Sequence, residues 1–208
     1  MSALLLVTAA GLGLLAFFEP CTIATHTLFA ARSSRDAAQR RRAALVQLVI
    51  ARSALLAGIF GAAAAIGLDE LAVPYAAFML GIIGTVYLVS RRVYLPLPHL
   101  EGFRLVPGGH ALPQAVQLGL TLPACTLPLV AVVGVIAALN QRIDAALGAG
   151  LVFAGMFSLP TVWDSLHGLS QAHRIFLGKA AAASPGVTAL LLWSGAILLW
   201  HTGTDTWI

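Results

Sequence analysis

Cys21 and Cys125 are the groups in this chain whose type and setting best suit chemistry. Each sits in a similar short context: Glu19-Pro20-Cys21-Thr22 in one place, and Pro123-Ala124-Cys125-Thr126-Leu127-Pro128 in the other. Two thiols can form and break a disulfide, exchanging electrons with another thiol pair. The plain alternative is packing, because a free cysteine often behaves as a small buried hydrophobe. A Cys-Thr step beside proline, twice and inside apolar sequence, favours chemistry. Proline removes a helix hydrogen bond and clashes with the preceding turn. In a bilayer the freed carbonyls then need other partners. Thr22 and Thr126 are expected to serve them.

Three ionisable residues lie near the first cysteine in sequence or in expected depth. Glu19 is two residues before Cys21, His26 five after it, and Arg52 ten beyond Arg42, inside the next apolar run. Intramembrane ionisable residues are costly and default to functional roles with a named partner. Arg52 is expected to pair with Glu19 and tune the Cys21 thiolate, or else to form a purely structural ion pair or snorkel to the interface. Disulfide reduction consumes protons, and His26 titrates near neutrality; polar packing is its ordinary alternative. Asp164, four residues after Pro160, is expected to be interfacial and structural. Trp200 and Trp207 are expected to anchor the outer interface.

The elements that must position these residues are membrane helices. Of 208 residues, 59% are hydrophobic and 10% charged, too little charge to cover a soluble domain of this size. A spanning helix needs about 20 apolar residues. Six stretches qualify: Ala3 to Ala31, Ala43 to Leu68, Leu71 to Ser90, Pro113 to Leu139, Ile143 to Leu166, and Pro185 to Thr202. The first has no Lys or Arg before it and no clear cleavage site, so it is expected as a retained span rather than a signal peptide.

Loop charge alternates. The first loop carries Arg32, Arg35, Arg40, Arg41 and Arg42; the second has Asp69 and Glu70 and no base. The third has Arg91, Arg92 and Arg104, the fourth only Arg142 with Asp144 nearby, the fifth Arg174 and Lys179. Basic loops stay cytoplasmic, so loops one, three and five are expected inside and both termini outside. The formal charge of +4 thus sets orientation and points to a lipid bilayer, not to nucleic acid. The third loop, Arg91 to Leu112, contains Pro96, Pro98 and Pro107 and is long for a bundle connection. It reads as a stiffened connector, a membrane-surface segment or a partner-docking segment.

Three spans followed by three gives two halves of opposite orientation, the arithmetic of an inverted repeat. The expected fold is therefore all-α and polytopic, one integral-membrane domain over 1–208. Repeat one spans about 1–92 and repeat two about 113–208, joined by a connector over about 91–112. Matching breaks fall in the first and fourth helices. Cys21 lies 11 residues before Arg32, and Cys125 lies 12 after Pro113. At about 1.5 Å per residue both sulfurs sit roughly 15–20 Å from the cytoplasmic boundary, a shared depth that bonding requires. Small residues at Gly11, Gly13, Gly58, Gly61, Gly81, Gly84, Gly119 and Gly134 would let helices approach closely.

With Pro20-Cys21 in the first half and Cys125 with Pro128 in the second, essentially the whole chain resembles the CcdA/DsbD-type transmembrane thiol–disulfide reductants. It departs from that pattern where Ala24 and Thr25 stand in place of a second proline, and where Pro123 lies one residue further back from the second cysteine. The resemblance implies six spans and a Cys21–Cys125 redox pair needing no cofactor. It implies a relay from cytoplasmic thioredoxin to an extracytoplasmic thioredoxin-like acceptor, with cytochrome c maturation as one destination. It also implies a bacterial-type inner membrane.

The chain has no phosphate loop, no HExxH and no CxxC. The glycines at 11 and 13 lie within an apolar helix, outside any strand–helix context for a nucleotide. The rival reading is a soft-metal or small-solute permease, since inverted repeats with broken helices also build transporters and thiolates favour copper and zinc. No clustered metal motif or Cys-rich loop supports it, and no metal ligand set is assigned. A structural subunit with inert cysteines is the third reading.

Overall fold

The computed structural model describes residues 2–68, 73–93, 100–168 and 171–204. Asp69, Glu70, Pro96, Pro98 and Trp207 lie outside the described residues. The described residues are helical almost throughout, with one two-residue strand pair. Its helices are α1 (Ser2–Phe17), α2 (Pro20–Ser33), α3 (Ala38–Ile66), α4 (Val73–Val93), α5 (Gln114–Gly119), α6 (Leu127–Asn140), α7 (Ile143–His167) and α8 (Gln171–Thr204).

Among the described residues three helices are long and apolar enough to cross a membrane: α3, α7 and α8 over Ile175–Ile197. The α1–α2 pair becomes a fourth if its 72° bend is counted within one span. Val73–Val89 and Ala124–Asn140 are shorter apolar helices. The outward faces are apolar: Val7, Ile50, Phe78, Leu190 and Ile197 are each more than half exposed. A water-soluble monomer rarely shows contiguous apolar surface on that scale, so the chain is an all-α membrane protein.

The core is built by α1, α3, α6 and α7, where Phe17, Leu56, Phe60, Leu129, Phe153 and Phe157 are fully buried. Around it α1 and α2 pack on α7, while α5 and α6 pack on α3. Helix α2 also meets α8, and α6 meets α4. Helices α3 and α7 pack together, as do α4 and α8.

Some of these contacts need glycine. A Cβ on Gly13 would lie 2.6 Å from the Phe153 carbonyl oxygen, and one on Gly119 2.7 Å from that of Leu48. Gly61 and Gly84 are also tight against side chains, whereas Gly11, Gly58 and Gly134 face open space. Helices α3 and α7 both end at a glycine with positive φ, Gly67 at 70° and Gly168 at 78°, a conformation that a Cβ disfavours.

Two expectations change. The last helix, α8, starts at Gln171, not at Pro185, so Lys179 and the backbone of residue 174 belong to α8 rather than to a loop. Pro185 has no N–H to donate within α8, and the Ser184 hydroxyl donates to the Ala181 carbonyl at 3.4 Å. The connector is also more than a tether. Leu100–Glu101 (β1) pairs antiparallel with Thr121–Leu122 (β2), placing Leu100 opposite Leu122 and Glu101 opposite Thr121. Two 3₁₀ turns, Gly102–Leu105 and Gly109–Ala111, follow β1, and the Gln117 side chain ties the second back by donating to the His110 and Leu112 carbonyls.

Candidate functional site

Cys21 and Cys125 are joined as a disulfide across 104 positions, with Cα atoms 6.8 Å apart, at the wide end of the usual range of about 4.4–6.8 Å. The bond ties together the two places where an apolar run breaks. Glu19 is extended (φ −65°, ψ 139°) and Pro20 opens α2, making Cys21 its second residue. A residue before proline is pushed toward that extended region, and a proline in the first turn has no hydrogen bond to lose. In the second half the break is longer. Helix α5 stops at Gly119, β2 follows, and a 3₁₀ turn over Ala124–Thr126 carries Cys125 into α6, with Pro128 in its first turn.

Both sulfurs are therefore carried at the N-terminal ends of half-helices. Neither Glu19 nor Thr126 caps its helix through its side chain, so side-chain capping leaves those first-turn N–H donors untouched. A helix N-terminus carries partial positive charge and stabilises a thiolate placed there. Cys21 is half-buried and Cys125 is 7% exposed.

Hydroxyls beside the breaks bond to nearby carbonyls, though not all as expected. Thr126 donates to the Pro123 carbonyl at 2.8 Å. Thr22 is buried and its hydroxyl has no partner; Thr25 instead donates to the Cys21 and Thr22 carbonyls, each at 3.0 Å. The Leu120 carbonyl accepts from the Gly102 N–H of the connector at 2.9 Å.

The expected Arg52–Glu19 pair does not form. Glu19 is fully buried, accepting from the Tyr87 hydroxyl of α4 and, at 2.7 Å, from the Thr188 hydroxyl of α8. Arg52, also fully buried, donates to Ser158 Oγ and to His26 Nε2, both at 3.0 Å, and lies 4.2 Å over the Phe157 ring. Since His26 Nε2 accepts from Arg52, the imidazole proton is assigned to Nδ1, which donates to the Thr161 hydroxyl. That imidazole is neutral and both its nitrogens are engaged. Asp164 is buried within the bundle. Trp200 is half-exposed near the end of α8.

Tyr87, Thr188, Ser158, Thr161 and Thr25 were not anticipated. A signal existed for part of this set: Ser158, Thr161 and Ser165 fall at i, i+3 and i+7, one polar stripe on an otherwise apolar helix. All three are buried.

Two apolar grooves flank the disulfide. One, of about 760 Å³, lies between α2 and α8 and is lined by Pro20, Ile23, Ala24 and Thr27 with residues of α8. The other, of about 380 Å³, lies between α6 and α4 and is lined by Ala124, Leu127, Pro128 and Ala131 with residues of α4. Counted from Cys21 and from Cys125, these two sets occupy the same offsets: −1, +2, +3 and +6. A third cavity, of about 230 Å³, is more polar and lies between α2 and α5, with Thr25, Arg32, Gln114, Gln117 and Thr121 in its wall. Thr25 and Thr121 are each four residues from a cysteine, so this cavity approaches the disulfide from the Arg32 end.

No family model, curated protein or solved structure matches the chain. Among the described residues no three of His, Cys, Asp and Glu gather as a metal-holding group.

Proposed function

We propose that the chain carries reducing equivalents across a membrane by thiol–disulfide exchange at Cys21 and Cys125. Cytoplasmic thioredoxin would reduce the disulfide, and the resulting dithiol would reduce a thioredoxin-like acceptor on the other side, in cytochrome c maturation or a related pathway. The observation that carries this reading is the disulfide itself, which joins the two proline-marked helix breaks and puts each sulfur at a half-helix N-terminus. A disulfide serving only as a staple would not need broken helices on both sides.

In this reading the chain has six spans: α1–α2, α3, α4, α5–α6, α7 and α8, arranged as two inverted halves. Support comes from the packing pairs. Exchanging the first three spans with the last three turns α2-on-α8 into α6-on-α4, and α1-on-α7 into α5-on-α3. The close approach of Gly13 to Phe153 has a counterpart in that of Gly119 to Leu48, and the two apolar grooves share the lining offsets −1, +2, +3 and +6 from the two cysteines. The basic residues at the α2–α3 junction (Arg32, Arg35, Arg40, Arg41 and Arg42) mark the cytoplasmic end by the positive-inside rule, which places both termini outside.

The test is thiol trapping in living cells with a mass-adding alkylating reagent, with and without active thioredoxin. Cysteines that stay protected together and become modifiable only when thioredoxin is active support the relay. Cysteines that are free thiols under both conditions overturn it, and metal uptake then becomes the function to assay.

A further inference from the structure

The bundle interior holds a positive charge that no described carboxylate contacts: the buried Glu19 and Asp164 make no ion pair with Arg52. Arg52 is fully buried, and its partners are a serine hydroxyl, a neutral imidazole and the face of a phenyl ring. Among the described residues no carboxylate pairs with it; the ion pairs are Arg104 with Glu101 and Arg142 with Asp144. Its Nε has no hydrogen-bond partner. A buried charge without a counter-charge is strongly unfavourable, so a guanidinium held in this way calls for an anion that arrives later.

Arg52 also stands between the two broken spans. Its side chain reaches His26, five residues beyond Cys21 on α2. Its backbone lies against α5, where a Cβ on Gly119, six residues before Cys125, would be 3.2 Å from the Arg52 nitrogen. The unpartnered Thr22 hydroxyl is one turn before His26 and adjacent to Cys21. The groups that the Arg52 guanidinium touches are all neutral while the disulfide is closed.

Opening the disulfide changes that balance. An incoming thiolate from a donor dithiol bonds to one cysteine sulfur and breaks the Cys21–Cys125 bond, and the bonding electron pair leaves on the other sulfur as a thiolate. The donor's second thiolate then displaces the first cysteine from the mixed disulfide. The donor departs oxidised, and both electrons stay on the two cysteines. We infer that Arg52 is a positioning residue for this exchange: a resident positive charge, unpaired in the closed disulfide, that becomes the counter-charge of the sulfur anion released on opening. This inference rests on the redox reading proposed above. Within a low-dielectric bundle such a charge acts over more than contact distance.

The test is the redox midpoint of the Cys21–Cys125 pair in the purified full-length protein in lipid nanodiscs. It is read by alkylation after equilibration in dithiothreitol buffers near pH 8. Arg52→Gln should disfavour the dithiol about tenfold, a midpoint about 30 mV more negative. Arg52→Lys, which keeps the charge, should stay near wild type. Arg52→Met removes the charge without leaving a polar group to satisfy, and repeats the measurement should the glutamine variant not fold. A midpoint within about threefold of wild type in the neutral variants overturns the inference, as does a lysine variant that falls as far as glutamine. A wild-type disulfide that does not equilibrate with dithiothreitol at all defeats the redox reading itself, and the inference with it.

Discussion

The Thr188 hydroxyl on α8 donates to Glu19 Oε1 at 2.7 Å across 169 positions of sequence, while the Tyr87 hydroxyl on α4 donates to the other carboxylate oxygen. Glu19 thus leaves its own helix uncapped and ties the start of α2, where Cys21 sits, to the α4–α8 pair. Thr188→Val should cost about 1 kcal/mol, within the range of about 0.6–2 for interhelical bonds in bilayers. The measurement is a double-mutant cycle with Glu19→Met, which removes the acceptor, in denaturant unfolding from bicelles. Purely additive effects would show that the contact holds no energy.

Two glycines two residues apart on α1, on nearly opposite faces of the helix, make a controlled pair. A Cβ at Gly13 would lie 2.6 Å from the Phe153 carbonyl oxygen, whereas nothing lies within 4 Å of one at Gly11. Gly13→Ala must push α1 off α7 and should destabilise by about 1–3 kcal/mol. Gly11→Ala should be neutral or mildly stabilising, since alanine is the better helix former. Unfolding midpoints of the two variants decide the matter; equal midpoints would show that α1 is not seated on α7 in this way.

Helices α3 and α7 were readable as apolar runs of spanning length, and the bend at residues 18–19 from Pro20 beside a cysteine. The start of α8 was not readable. Pro185 signals a boundary on its own, yet the helix runs through it, with the Ser184 hydroxyl bonded to the Ala181 carbonyl. Charge alone matched Arg52 with Glu19, but opposite sign says nothing about which helix faces which. Hydroxyls of Tyr87 and Thr188 claim the carboxylate, and the α7 stripe claims the guanidinium. The β1–β2 pair was hidden for another reason: a two-residue strand has no periodicity to detect.

The connector is expected to act on Cys125 through one backbone bond. Gly102 N–H satisfies the Leu120 carbonyl freed by the break, and a Cβ on Gly102 would come within 2.8 Å of that same oxygen. Gly102→Ala should therefore loosen the segment that leads into Cys125 without touching the cysteine. In protein carrying Cys21→Ser, the alkylation rate of Cys125 should rise several-fold. An unchanged rate would mean that the connector does not gate access to that sulfur.

Burial separates the two sulfurs. Cys21 is half-buried at the exposed Pro20 end of α2, while Cys125 is 7% exposed behind Pro123 and Pro128. Both have a helix N-terminus to favour the thiolate, so reagent access should decide which reacts faster. With single-cysteine proteins, Cys21 in Cys125→Ser should alkylate faster than Cys125 in Cys21→Ser. The difference should shrink in a denaturing detergent, where burial is lost. Reduction should also lower stability, because the bond closes a loop of 104 positions, and the chain-entropy model assigns about 4–5 kcal/mol to a loop of that size. Restriction of the unfolded chain by the bilayer reduces that figure. Reduced wild type and Cys21→Ser should unfold at the same midpoint, below the oxidised protein; coincidence of all three would mean that the bond constrains nothing that the membrane does not already hold.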